Sequence, residues 1–242
     1  MRSLLLKLVL ILITICTLLW IYNLPTFAAE GTKYYFGLKG LYHYPGGDFD
    51  GKDQGYLTIE DDGYTYDFTY DLYELIDNYG AGLTFGAYND FAAGEISYSQ
   101  SIHNLAWDGI EQEDMDEAVL EILNIDFKFF QPNSAAKKFK PYGQLGLVFS
   151  NLKVEDSALL EIYDETDTLV SSELGDALYR GKGYNLGFGI MVNIGKKLIL
   201  DGSVIYQKVI YSDLKTLGVR EDVPEDLSLT TRTYNLGIKY CF

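Results

Sequence analysis

From residue 31 onward, hydrophobic and polar positions alternate with a period of two, and they do so eight times. The stretches are 34–44, 79–88, 94–103, 119–130, 141–151, 183–194, 198–211 and 230–242. Each sets a greasy row against a row of small or polar residues. In 183–194, Tyr184, Leu186, Phe188, Ile190, Val192 and Ile194 alternate with Asn185, Gly187, Gly189, Met191 and Asn193. In 94–103, Ile96, Tyr98 and Ile102 alternate with Glu95, Ser97, Ser99, Ser101 and His103. A period of two predicts strands with one apolar face.

A soluble sandwich also alternates, so length, ends and spacing have to decide. The stretches run 10–14 residues, against about 5–6 for an ordinary strand and about 9–11 for one that crosses a bilayer at a tilt. The greasy rows begin and end in aromatics, as in Tyr34/Tyr44 and Tyr234/Phe242, which suits a girdle at each membrane interface. Connections alternate between short (89–93, 131–140, 195–197) and long (45–78, 104–118, 152–182, 212–229). In lipid every backbone polar group needs a partner, so spanning strands must close on themselves. The expectation is an all-β chain: an eight-stranded antiparallel up-and-down transmembrane β-barrel with the greasy rows facing lipid and a narrow lumen.

Two local features bear on that count. Residues 55–59 and 64–70 flank Asp61-Asp62-Gly63 and read as a hairpin standing above the membrane. If both arms cross instead, the barrel has ten strands; only Leu57 and Ile59 would face lipid on the first arm, which favours eight. The stretch 111–123 reads as a short helical turn ahead of its strand.

The first 29 residues follow another rule. Arg2 and Lys7 precede an uncharged run over 8–22, and Thr26-Phe27-Ala28-Ala29 supplies small residues for cleavage. This is the order of a secretory signal peptide, and the apolar run is shorter than the ~20 residues of a spanning helix. Residues 1–29 are therefore expected to be a signal peptide and 30–242 one barrel domain. Cys16 follows Ile15 inside the apolar run, a poor lipoprotein site; with the leader gone only Cys241 remains, so no internal disulfide forms.

Charge sharpens the picture. The 242 residues carry 19 Lys+Arg and 35 Asp+Glu, a formal net of −16, which excludes a nucleic-acid binder. The long connections hold 29 acids and 6 bases, and the short turns 1 acid and 5 bases. The long connections are thus expected to form an acidic, Tyr-rich outer surface that attracts cations or an external ligand diffusely. Asp48-Phe49-Asp50-Gly51-Lys52-Asp53 lacks the order of a calcium loop; no metal site or cofactor is expected.

The inward rows carry Lys39, Glu95, Asp126, Lys128, Asp201 and Lys239, with His43 and His103. Three acids against three lysines predict a salt-bridged lumen that blocks flow; a narrow gated pore for small solutes is the alternative. Ser101 and His103 share one face, the one arrangement that suggests a nucleophile and base. No third group orients them in the sequence, so no catalytic residue is assigned, and a lipid hydrolase stands last among the readings. Lys153, Lys182, Lys208 and Arg232 fall on greasy rows near the outer strand ends. Bases cost little at an interface and about 2–4 kcal/mol at the midplane. They are candidates to meet lipopolysaccharide phosphates, with plain snorkelling as the other explanation.

The final strand, Thr233-Tyr234-Asn235-Leu236-Gly237-Ile238-Lys239-Tyr240-Cys241-Phe242, resembles the C-terminal assembly signal of bacterial outer-membrane barrels through Gly237, Tyr240 and Phe242. Residues 95–99 and 187–198 are similar to strands of the OmpA/OmpX-like outer-membrane β-barrel family. The resemblance implies a Gram-negative outer-membrane location, insertion by the barrel-assembly machinery, short turns in the periplasm, long loops outside, and contact with membrane lipid and lipopolysaccharide. It names no activity. With no domain after Phe242, a peptidoglycan tether is not expected. A monomer with a structural or surface-interaction role (envelope integrity, adhesion or shielding) is the reading that follows.

Overall fold

A computed structural model describes residues 31–49, 54–61, 64–71, 74–106, 117–131, 138–157, 162–163, 169–171, 175–195, 197–216 and 219–242. The signal segment, the Asp50–Asp53 part of the acidic run, and 111–116 of the expected helical turn lie outside them.

Eight long strands form the wall: β1 (Lys33–Gly47), β2 (Asn78–Tyr88), β3 (Ala92–Ala106), β4 (Glu117–Phe130), β5 (Phe139–Ser157), β6 (Gly175–Ile194), β7 (Leu198–Thr216) and β8 (Val219–Cys241). Each pairs antiparallel with its chain neighbour, and β1 pairs with β8, so the sheet closes. This is an up-and-down barrel. The ladder runs through Tyr42↔Tyr234 on one side of β1 and Tyr42↔Tyr79 on the other.

Alternation assigns the faces. In β3 the burial pattern is strictly two-periodic, with Glu95, Ser97, Ser99, Ser101 and His103 inward. Phe188 is 67% exposed and Leu236 69%, and most of the other outward Leu, Ile, Phe and Tyr of the wall are exposed with them. A band of large apolar side chains around a closed barrel is a lipid-facing surface, since water-facing patches of that size are rare. Tyr34 stacks on Phe242 at one edge of the band (6.4 Å between centroids), and Tyr42 meets Tyr79 (5.0 Å) and Tyr234 (6.4 Å) toward the other.

The short connections lie at one end, called inner here. At 89–91 the Asn89 side chain accepts from the amides of Phe91 (2.8 Å) and Ala92 (2.9 Å), a local turn that spares backbone donors. The long connections lie at the outer end. Gly47 leaves β1 there with φ +91°, and a Cβ on it would sit 2.6 Å from the Ser228 carbonyl oxygen. Only glycine fits this exit.

Two expectations need revision. Residues 152–157, 175–182, 212–216 and 219–229, expected in loops, continue the strands. β7 and β8 stay paired past the apolar band, from Asp213↔Asp222 to Thr216↔Val219, because backbone pairing needs no lipid once a hairpin has begun. Residues 117–123, expected as part of a helical turn, are strand; the inward alternation of Ala118, Leu120 and Ile122 continues that of Asn124 and Asp126. In the first long connection the expectation holds: strands Gln54–Asp61 and Tyr64–Asp71 form the hairpin and pair only with each other, so the barrel has eight strands.

Candidate functional site: the closed lumen and the outer wall

The lumen is filled in layers. In the middle, Lys128 (β4) reaches both Glu95 (β3) and Asp201 (β7) at 3.0 Å. Lys239 (β8) pairs with Asp201 at 2.6 Å and also with Glu95. The four charges form a square strung across the bore, each cation between two carboxylates. Tyr35 and Tyr142 donate to Glu95 and Asp201, both at 2.7 Å. The lysines also sit over those rings, Lys239 4.6 Å from Tyr35 and Lys128 4.8 Å from Tyr142. Burying ions is costly unless their remaining hydrogen-bonding positions are filled, and the two phenols fill them. Room for the rings comes from the wall: a Cβ on Gly86 or Gly189 would lie 2.5 Å from the Tyr35 or Tyr142 hydroxyl.

Lys39 and Asp126 stand beside the square. Lys39 donates to Ser97 (2.9 Å), and Asp126 accepts from Asn185 (2.7 Å). A cavity of about 20 Å³ between them and the square is bordered by Gln144 and Thr84. These two side chains have buried polar atoms without a hydrogen-bond partner among the described residues. The space suits about one water.

Toward the outer end comes a neutral polar layer. Gln207 donates to Asn124 (3.0 Å) and accepts from Thr231 and Thr233 (both 3.2 Å). His43 meets Thr233 at 2.8 Å and lies 5.9 Å, ring to ring, from His103. Ser101 and His103 do meet: Oγ and Nε2 are 2.8 Å apart, and the other ring nitrogen is 2.7 Å from the Ile76 carbonyl oxygen. That carbonyl can only accept, so His103 carries its proton on Nδ1 and accepts a hydrogen bond from the Ser101 hydroxyl at Nε2. Both side chains are almost fully buried, 2% and 0% exposed, which leaves no surface for a substrate.

Two apolar layers close the ends. The outer one gathers Leu105, Leu120, Val148, Leu152, Val209, Leu229 and their neighbours around Phe49. Phe49 lies just beyond β1 and meets Tyr179 (5.9 Å) and Tyr211 (5.8 Å) edge-on. Its carbonyl accepts from the Leu75 amide (3.2 Å), and Asp48 bonds Ser228 through backbone and side chain. The inner layer comprises Tyr35, Tyr88, Ala93, Phe130, Tyr142, Met191, Ile199 and Cys241, with the buried Lys140 over the Tyr88 and Phe130 rings at 5.3 and 5.7 Å. Sequence reasoning missed both layers: Leu120, Val148 and Val209 are as apolar as the lipid-facing residues, and only their parity marks them as inward.

On the wall, Lys153, Lys182, Lys208 and Arg232 occupy outward positions of β5, β6, β7 and β8. Lys182 pairs in register with Phe149 and Ile210, Lys208 with Tyr184, and Arg232 with Tyr206 and Tyr44. They lie on four consecutive strands along one side of the barrel, with Lys182, Lys208 and Arg232 each two residues off the next in the register. Gly237 faces inward, while Tyr240 and Phe242 face out at the inner edge; Lys197 donates to the Tyr240 hydroxyl at 3.1 Å.

No protein-family model matches the chain, and no curated protein does. Solved structures do match. Neisserial surface protein A superposes with a TM-score of 0.51 at 9% identity, over 88% of this chain and 100% of that one. OprG from Pseudomonas aeruginosa gives 0.48 at 14% identity (88% and 96% covered), and the attachment invasion locus protein Ail of Yersinia pestis 0.41 at 15% (88% and 99%). The closed eight-stranded order, the outward apolar band and the Neisserial match agree: the chain shares the fold of the small OmpA/OmpX-like outer-membrane β-barrels.

Proposed function

We propose that the protein is an outer-membrane barrel of structural and surface-interaction type, serving envelope integrity, adhesion or shielding, with a lumen closed to solute flow. One observation carries this reading: the ion square lies between an apolar layer at each end of the bore. A hydrated ion would have to cross both layers and displace two lysines from their carboxylates, each step costing several kcal/mol. The barrel supplies its lipid-facing surface, its outer connections meet the surroundings, and Lys153, Lys182, Lys208 and Arg232 meet lipopolysaccharide phosphates at the band's edge. The buried Ser101–His103 pair is a structural hydrogen bond, and the protein acts without catalysis.

Planar-bilayer recording of the refolded full chain tests the closed lumen. No unitary steps are expected; reproducible steps at modest voltage would instead establish the narrow pore.

A further inference from the structure

The bases set against phosphate at the band's outer edge leave one gap. Lys182, Lys208 and Arg232 step by two residues from strand to strand, but Lys153 stands four residues beyond Lys182 in the register. Arg180 fills that gap. It lies opposite Asn151, two residues from each lysine along the wall, and is exposed on the outward face. Side chains on such a diagonal lie about 7–8 Å apart, so the five bases make an unbroken arc over β5 to β8. Neither Arg180 nor Lys182 has an ion-pair partner among the described residues.

At Arg180 the arc borders a recess of about 410 Å³, lined also by Tyr98, Glu121, Leu123, Phe149 and Asn151. Glu121 accepts from the Tyr98 hydroxyl (2.8 Å) at one carboxylate oxygen and from the Asn151 side-chain amide (3.2 Å) at the other. Each oxygen keeps a second accepting position. Neutral donors hold the carboxylate, so the Arg180 guanidinium stays available to an anion. A carboxylate beside a phosphate-binding arc repels the phosphate itself. Its partners must be neutral O–H or N–H donors carried next to that phosphate. A phosphorylated sugar supplies both on one ring, whereas a bare lipid phosphate supplies only the anion.

We infer that the recess holds the sugar of a phosphorylated glycolipid, the head of lipopolysaccharide. Its phosphate lies between Arg180 and Lys182 with Lys153 alongside, and a ring hydroxyl or amide N–H donates to Glu121. The bases select for charge, and Glu121 selects for sugar. The inference rests on the reading that the outer-edge bases meet lipopolysaccharide phosphates, and it adds Arg180 and Glu121 to them.

Native mass spectrometry of the refolded full chain in detergent tests it with two probes: lipid A, and phosphatidic acid, which carries phosphate and no sugar. A chelator is present throughout, so that no divalent cation bridges carboxylate and phosphate, and circular dichroism checks that each variant is folded. Glu121→Gln is expected to retain about tenfold less lipid A, the worth of one charged hydrogen bond. The same variant retains more phosphatidic acid, because a repelling charge is gone. A carboxylate that only repels, or only braces the wall, cannot give these opposite responses. Arg180→Gln lowers retention of both probes. Lipid A retention that rises or stays level in Glu121→Gln, or a folded Glu121→Gln variant that loses both probes alike, overturns the sugar site. Unchanged retention of both probes in Lys153→Gln, Arg180→Gln and Lys182→Gln is a separate failure: it removes the phosphate reading, and the sugar site with it.

Discussion

Side-chain chemistry in the bore is organised around four charges. One oxygen of Glu95, Oε2, is shared by both lysines of the square and by the Tyr35 hydroxyl. Removing its charge leaves Lys128 and Lys239 with Asp201 as their common carboxylate, deep in a low-dielectric interior. Breaking a buried pair from one side costs about 3–5 kcal/mol. Glu95→Gln is therefore expected to unfold at clearly lower urea than wild type in vesicle-embedded denaturation; an unchanged midpoint would mean the square is not a stabilising unit. Lys39→Met, outside the square, is expected to cost less in the same measurement. The identities of these ions were legible in the sequence, because parity alone sends them inward. Their partners were not. Glu95 stands opposite Asp126 in the ladder, and two of the four attractive pairs, Lys128 with Asp201 and Lys239 with Glu95, run between strands that the ladder does not join.

Among the elements, the segment after β1 is the one that seals the mouth. Phe49 fills the space between Tyr179 and Tyr211, while Leu75, from the same connection, pairs with Leu105 of β3. Truncating a buried phenylalanine typically costs about 3–5 kcal/mol. Phe49→Ala is expected to speed amide exchange at Leu75 and Ile76, whose hydrogen bonds lie beside the lost ring, and to leave the amides around Glu95 protected. Uniform acceleration throughout the barrel would show that the mouth is not a separate unit. The strand cores were legible because lipid on one side and a narrow bore on the other enforce alternation. Beyond the band that pressure ends, so the extensions of β5 to β8 carry acids on mixed faces and read as loops. The outer apolar layer was hidden for the opposite reason: in β4, Leu120 and Ile122 face inward while Leu123 and Ile125 face out, and an apolar residue looks the same on either side.

At the scale of the whole molecule, the two ends differ in chemistry. The long connections sum to 29 acids and 6 bases, the short turns to 1 acid and 5 bases. The acids of the long connections repel an anionic membrane surface, whereas the bases at the upper edge of the band, two of which (Lys153 and Lys182) are among those 6, attract it. A variant with Lys153, Lys182, Lys208 and Arg232 all replaced by alanine is expected to co-purify with several-fold less lipopolysaccharide. Full retention would assign these side chains to snorkelling alone.

The seam between β1 and β8 has a kinetic side. Tyr35 pairs with Cys241, and the Phe242 amide donates to the Tyr34 carbonyl at 3.0 Å, so this contact closes a loop through almost the entire described chain. The β2–β3 hairpin, by contrast, closes through three residues. Loop entropy makes the first kind of contact late and the second early. Before the seam forms, β1 and β8 each present a row of unpaired backbone groups that water can solvate and lipid cannot. Entry into the bilayer and closure of the ring are therefore coupled events, and the slow step of folding is the meeting of the chain's two ends.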